Sequence, residues 1–380
     1  ATGSVDASSE KCPSAGATRI AACGYCGKRS EACKDGVWQP ASDCLGQGVC
    51  PVGAVEIEAL PRCGERQRFC DEQCQWIPWQ VTAQSRDCEP GIPRAIRADC
   101  PFGQLREQIC TAECSWANTG GACVEACTLV TGRTTPEDRE EICIPAGPFI
   151  RGSELDEGAT PVREVTLSAY YIDRFPATNR RYKECIDAGA CAGLSREQVG
   201  PFAGLVEDPA LADYVALVPR GDAVSLCEWD GGRRLPTEAE WEKAARGPEP
   251  RNQLYTWEGN NYRCDLLDSA ECGFDFPPEQ WFGTDIYDSL PGTRSYYGVE
   301  MLLGGGRQWV LDYFATDYYS HDESLFDPIG PSSGSTRVVR GDWRDESNVD
   351  DHVSSRKQSA GELDDASMCV ARCARSVLAE

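Results

Sequence analysis

Gly232-Arg-Arg-Leu-Pro-Thr-Glu-Ala-Glu-Trp-Glu-Lys-Ala-Ala-Arg-Gly247 carries its own start and stop signals. Thr237 offers a hydroxyl to the free amides of a helix start, Glu240 three residues later completes a capping box, and Gly247 ends the run. The stretch predicts a short capped helix, around which the neighbouring segments can be placed.

Upstream, Asp222-Ala-Val-Ser-Leu-Cys-Glu-Trp-Asp-Gly231 fits a second helix, and Thr178 to Gly189 reads as a third with Tyr182, Cys185 and Ile186 near one face. Further back, Ile144–Ser153 and Val162–Asp173 read as two strands separated by an acidic loop. Thr128 to Glu141 is polar without a sustained apolar period and reads as a linker.

The cysteines show why a linker is needed there. Fifteen of the 23 fall between Cys12 and Cys127, and eight lie from Cys143 onward. A chain of 380 residues exceeds one core, so the expected domains are a Cys-rich region at 1–127, the linker at 128–141 and a second domain at 142–380. In the front region Cys26-Gly-Lys-Arg-x3-Cys33 recurs as Cys63-Gly-Glu-Arg-x3-Cys70, with a looser third copy from Cys100 to Cys110. Cys70-x3-Cys74-x-Trp76 likewise recurs as Cys110-x3-Cys114-x-Trp116. Units this small bury little, so bridges and one tryptophan each (Trp38, Trp76, Trp116) are expected to hold them. Cys23-Gly-Tyr-Cys26 lacks the strand–helix context of a redox pair, and bridges are preferred to zinc.

So many cysteines with two histidines favour an oxidising, extracytoplasmic location, with a signal peptide removed and a lipid anchor upstream of Ala1 compatible with it. No apolar run reaches the ~18 residues of a spanning helix. The net charge of −24 sits mainly in the second part: residues 1–130 carry 12 Lys and Arg against 16 Asp and Glu, the rest 25 against 45. Such a field repels nucleic acid and anionic lipid, and favours cations or basic partners. Six lysines beside 31 arginines suggest a GC-rich bacterial source.

The opening stretch, Gly232 to Gly247, resembles the signature of the formylglycine-generating-enzyme, or sulfatase-modifying-factor, family. Its flanks follow in the family's order: Ile144-Pro-Ala-Gly-x-Phe149, Tyr171-Ile-Asp-Arg-x3-Thr-Asn179, Asp222-Ala-x4-Cys-Glu-Trp229, Tyr297-Gly-x3-Met-Leu302 and Gln308-Trp-Val-Leu-Asp-Tyr-Phe314. Gly330-Pro-Ser-Ser-Gly-Ser-x-Arg-Val-Val-Arg-Gly341 and Ala371-Arg-Cys-Ala-Arg375 complete it. The resemblance covers about 235 residues and implies an α+β fold of the C-type-lectin-like kind, with much irregular structure.

It also implies chemistry that this chain departs from. Active members place a Cys-x4-Cys pair that holds Cu(I) just after the strand equivalent to Val339–Trp343; here Arg344 to His352 holds no sulfur. Carboxylates suit calcium or magnesium, so copper-dependent cysteine oxidation is not expected. At Gly304-Gly-Gly-Arg-Gln-Trp309 the family has Gly-Asn-x-Trp-Glu-Trp, whose asparagine and glutamate help hold calcium, so Gly305 and Gln308 weaken that site. A second calcium site is a candidate among Asp265, Asp268, Asp275, Asp285 and Asp288. Cys185 with Cys191 and Cys264 with Cys272 are candidate local bridges, which leaves Cys143, Cys227, Cys369 and Cys373 to pair among themselves. Gly330-Pro-Ser-Ser-Gly334 lacks the strand-before, helix-after context of a hydrolase elbow.

The expected function is therefore a noncatalytic, exported binding or scaffold protein, in which loops on a rigid frame recognise a protein or carbohydrate at the cell surface. A subunit of an extracellular assembly belongs to the same class. The candidate surface combines Trp343, Arg344, Asp345, Glu346, Asp350, Asp351 and Arg356 with Tyr318 and Tyr319 of the loop Tyr313–Phe326. The alternative is an enzyme of this family with altered, cysteine-independent chemistry.

Overall fold

Short Cys-rich stretches gain little from burial, so their backbones pair into small sheets that covalent bridges hold together. In the computed structural model the chain is described at residues 11–83, 88–97, 100–129, 132–134, 136–193, 200–263, 294–341, 352–359 and 369–377. It forms two compact units: Ala1–Arg94 with Glu107–Gly121, and Ala95–Arg106 with Ala122–Glu380.

The front region repeats in three dimensions. Strands β1 (Thr18–Cys23), β2 (Gly27–Lys34) and β3 (Val37–Pro40) form one antiparallel sheet, and β4 (Val55–Leu60), β5 (Gly64–Phe69) and β6 (Gln80–Ala83) a second. The third copy comprises β7 (Pro93–Ile96), β8 (Gln104–Cys110), β9 (Trp116–Asn118) and β10 (Val124–Glu125). Bridges Cys12–Cys33, Cys50–Cys70 and Cys88–Cys110 close equivalent loops 21, 20 and 22 residues apart in sequence.

Bridges Cys26–Cys74 and Cys63–Cys114 join one copy to the next. All four of these cysteines adopt positive φ, between 54° and 57°, so the same linkage is built twice from the same backbone. Cys23 pairs with Cys44, which leaves Cys23 and Cys26 in separate structural bridges. Each expected tryptophan stacks on an arginine: Arg19 on Trp38, Arg68 on Trp76 and Arg94 on Trp116. This density of disulfides suggests an extracytoplasmic location. Among the described residues no helix is long and apolar enough to cross a membrane.

In the second unit each of the two long strands expected at 144–153 and 162–173 is instead broken into shorter ones. The observed strands are β11 (Glu141–Ile144), β12 (Gly147–Arg151), β13 (Arg163–Leu167) and β14 (Tyr170–Asp173). β12 pairs with β13, whereas β11 pairs with β14. One break is local and the other comes from a distant contact. Gly147 takes φ 133°, and Asp327 accepts from the Ser168 amide at 2.6 Å and its hydroxyl at 2.7 Å, turning the chain between β13 and β14. One helical turn, α1 (Ala126–Leu129), brings Cys127 to β11, where it bonds Cys143. Cys143 thus pairs with a front-region cysteine and not, as expected, with Cys227, Cys369 or Cys373. The polar segment after Cys127 is fastened as well: Arg133 donates to Asp230 at 2.6 Å.

The helices are α2 (Asn179–Asp187), α3 (Arg220–Trp229) and α4 (Glu238–Arg246). Thr178 caps α2, and Thr237 with Glu240 forms the expected capping box on α4. Cys185–Cys191 forms as expected, and Cys227 on α3 bonds Cys373 on the closing segment. A second sheet has the order β17 (Lys357–Ser359), β16 (Arg337–Arg340), β15 (Arg307–Tyr313), β18 (Cys369–Val370), while β19 (Ala374–Ser376) extends the β11–β14 pair. Gly330–Gly334 leads into strand β16 with no helix after it. The main core gathers Phe149, Val165, Ile172, Trp241, Val310 and Val338 around α4.

Candidate functional site

Helix α4 is buried along its whole length, including five charged side chains, Glu238, Glu240, Glu242, Lys243 and Arg246, that must find partners inside. Glu238 accepts from Arg356 at 2.6 Å and 3.0 Å, from Arg340 at 3.0 Å and from the Tyr319 hydroxyl at 3.1 Å. One turn on, Glu242 accepts from Arg340 at 2.9 Å, from Arg246 at 2.8 Å and from the Gly152 amide at 2.7 Å. Burial alone would raise Glu238, but Arg356 and Arg340 outweigh it and hold the carboxyl below its ordinary range.

Asp312 on β15 accepts from the Glu238 amide at 2.8 Å. Its own burial, with the neighbouring Glu238 charge, pushes it up to about 8, the opposite direction from Glu238.

This pattern fixes the two flanks of residues 342–351. Arg340 ends β16 and Arg356 precedes β17, and both land on Glu238. Arg340 also donates to Val353 O, and Arg356 to Gly158 O at 3.0 Å and Ala315 O at 3.2 Å. Gly341, directly after Arg340, has φ 76°, and a Cβ there would lie 2.7 Å from Leu302 O. At the other foot Val353 N donates to Leu254 O at 2.8 Å, and the His352 ring meets Tyr255 edge-on at 5.4 Å. Both ends of the segment between Gly341 and His352 are therefore held by the buried face of α4 and the aromatic pair Tyr255–Trp257, stacked at 4.6 Å.

Of the residues expected to form an open recognition surface, Tyr318, Tyr319 and Arg356 are buried instead. The reason is visible in their stacking: Arg151 lies 3.8 Å and Arg356 4.3 Å from the Tyr319 ring centroid, so these side chains form the loop's footing. Trp343, Arg344, Asp345, Glu346, Asp350 and Asp351 lie outside the described residues, as do Asp265, Asp268, Asp285, Asp288 and the pair Cys264 and Cys272. Sequence reasoning does not single out Glu238, Glu242, Arg340 or Asp312; the available signal is the pair of acids four residues apart, Glu238 and Glu242, on the predicted capped helix.

A second buried cluster braces the closing segment. Asp173 accepts from Arg181 at 2.7 Å, from the Cys373 amide at 2.9 Å and from Arg233. Burial would raise Asp173, but Arg181 and Arg233 bring it down to about 2. Gln308, at the position of a family glutamate, accepts from Trp241 Nε1 at 2.9 Å and Arg372 Nε at 3.0 Å, and donates to Met301 O at 2.7 Å.

A capped, wholly buried helix whose carboxylates hold Arg340 at the end of β16 and Arg356 just before β17, with a closing segment tied by Cys227–Cys373, fits an α+β domain of the formylglycine-generating-enzyme type. Residues 127–377 match the sulfatase-modifying factor enzyme 1-like domain, and the chain belongs to that family. It is 27% identical over 321 residues to the formylglycine-generating enzyme of Bos taurus, covering 70% of this chain and 81% of that one. It is also 30% identical over 239 residues to the inactive C-alpha-formylglycine-generating enzyme 2 of Mus musculus, covering 46% and 75%. Among solved structures it is similar to PvdO from Pseudomonas aeruginosa, with a TM-score of 0.47 and 19% identity over 65% of this chain and 98% of that one.

Proposed function

We propose that this chain is an exported, noncatalytic recognition or scaffold protein that uses its formylglycine-generating-enzyme-like domain to present the segment between Gly341 and His352. The observation that carries the reading is the double anchorage on Glu238: Arg340 and Arg356, one on each side of the segment, share one buried carboxylate. A segment held at both feet by a rigid frame can vary in sequence at little cost to the fold, which is how loops come to carry binding.

The donor set supports the same reading. Where the family's thiolates would stand, Arg344 to His352 offers Asp345, Glu346, Asp350 and Asp351, hard oxygen donors that do not suit Cu(I). Cys373 is bonded to Cys227 and Cys185 to Cys191, so none of these four thiols is available to a metal. No step of cysteine oxidation is assigned to these residues. The acidity of the segment favours a basic protein partner, with a carbohydrate or a larger extracellular assembly as the other expected occupants.

Replacing residues 343–351 by a glycine–serine linker tests this. The substituted chain should melt within about 2 °C of the wild type, since the footing is intact, and should no longer co-purify with the partners that the wild type retains from native envelope. Undiminished co-purification by the substituted chain would remove the segment from any recognition role.

A further inference from the structure

Five oxygens converge on one buried guanidinium in the closing segment. Arg372 is fully buried and donates to Asp173 O at 2.6 Å and Arg174 O at 2.7 Å through Nη1. Its Nη2 donates to Glu300 O at 2.6 Å with Met301 O at 3.4 Å, and its Nε donates to Gln308 Oε1 at 3.0 Å. Four main-chain carbonyls and an amide oxygen are neutral, hard donors of the kind a calcium ion takes. Here a cation on the chain itself occupies them.

Gln308 has nothing left to offer a metal. An amide oxygen carries two lone pairs, and Trp241 Nε1 and Arg372 Nε take both, while Nε2 is committed to Met301 O. The neighbouring Gly305 cannot supply a replacement donor, because a Cβ there would lie 2.5 Å from Met301 O. A divalent ion seated on Gln308 would also share its oxygen with a fixed positive charge, and the low-dielectric interior leaves that repulsion poorly screened.

We propose that the Arg372 guanidinium is the resident cation at this place in the fold. It ties the end of β14, the turn at Glu300–Met301 and β15 to the closing segment, so the domain closes there without the calcium that the family resemblance implies. The inference concerns Arg372 and the groups around it, and stands whether or not the chain recognises a partner through the segment after Gly341.

Two experiments decide it. Crystals of the full chain soaked in terbium, a calcium surrogate with a strong anomalous signal, should show no peak at about 2.3–2.6 Å from Gln308 Oε1, whatever other carboxylates bind. A peak on that oxygen overturns the proposal. In solution, Arg372→Ala should lower the melting temperature, and millimolar ethylguanidinium should restore part of the loss while leaving the wild type unmoved. Restoration by calcium and not by ethylguanidinium, or by neither, also overturns it. Should Arg372→Ala fail to fold, the terbium map of the wild-type chain decides alone.

Discussion

Glu238→Gln removes one negative charge from a site where two buried guanidinium groups meet, and the consequences can be worked through group by group. Arg340 keeps Glu242 at 2.9 Å, so its charge remains partnered. Arg356 has Glu238 as its carboxylate and would be left with neutral acceptors, the new amide oxygen and the carbonyls of Gly158 and Ala315. Removing one partner of a buried pair costs about 3–5 kcal/mol, and the surviving Arg340–Glu242 contact places this case at the lower end, about 3 kcal/mol. For a unit of this size about 1 kcal/mol moves the melting temperature by roughly 2–4 °C, so the second unit should melt about 6–12 °C lower.

Because both feet of the segment after Gly341 rest on the same carboxylate, limited proteolysis between Gly341 and Arg356 should accelerate well below that new transition. Near-UV circular dichroism, which reports the buried Trp241, follows the melt, and mass spectrometry locates the cuts. Glu164→Gln, on the exposed side of β13, serves as the control. An E238Q chain melting within about 1 °C of wild type, and cut at the wild-type rate, would refute the anchoring argument.

Three further outcomes are expected. Replacing Cys127 and Cys143 by serine opens a bridge spanning 16 residues, which costs about 3 kcal/mol in the chain-entropy model and lowers the melt of the second unit while leaving the front modules' transition in place. Asp312 is raised in the folded state to about 8 against an unfolded value near 3.9, so the stability it contributes is complete below about 4 and is lost as pH rises to about 8. Asp312→Asn, which keeps an acceptor for the Glu238 amide, should flatten that slope in denaturant titrations between those limits. Gly341→Ala forces a side chain into φ 76° and against Leu302 O, and should cost at least about 1–3 kcal/mol by equilibrium unfolding.

Much of the frame was legible because its signals are local. The capping box of α4 needs only Thr237 and Glu240, and the repeat of the front region shows in Cys26–Cys33 and Cys63–Cys70 before any fold is known. The family resemblance supplied the rest of the second domain's order. What stayed hidden depends on contacts distant in sequence. Cys143 bonds Cys127 because α1 and β11 meet, a pairing that spacing cannot select among 23 cysteines. Tyr319 and Arg356 look like surface residues beside many Asp and Glu, yet Glu238, 118 residues before Arg356, accepts from both of them in the interior. The long strand expected at 162–173 is broken by Asp327, arriving from 159 residues downstream of Ser168.

The central claim is that oxygen donors have replaced the thiolates on which copper chemistry depends, and it can be tested on the purified chain. Under anaerobic conditions the protein is titrated with Cu(I) against a competing chelator, then exposed to oxygen with a cysteine-containing peptide while oxygen uptake and aldehyde formation on the peptide are followed. Weak copper binding with no uptake above the buffer rate, and a peptide cysteine recovered intact, is the result this account predicts. Tight Cu(I) binding with stoichiometric conversion of the cysteine to an aldehyde would contradict it.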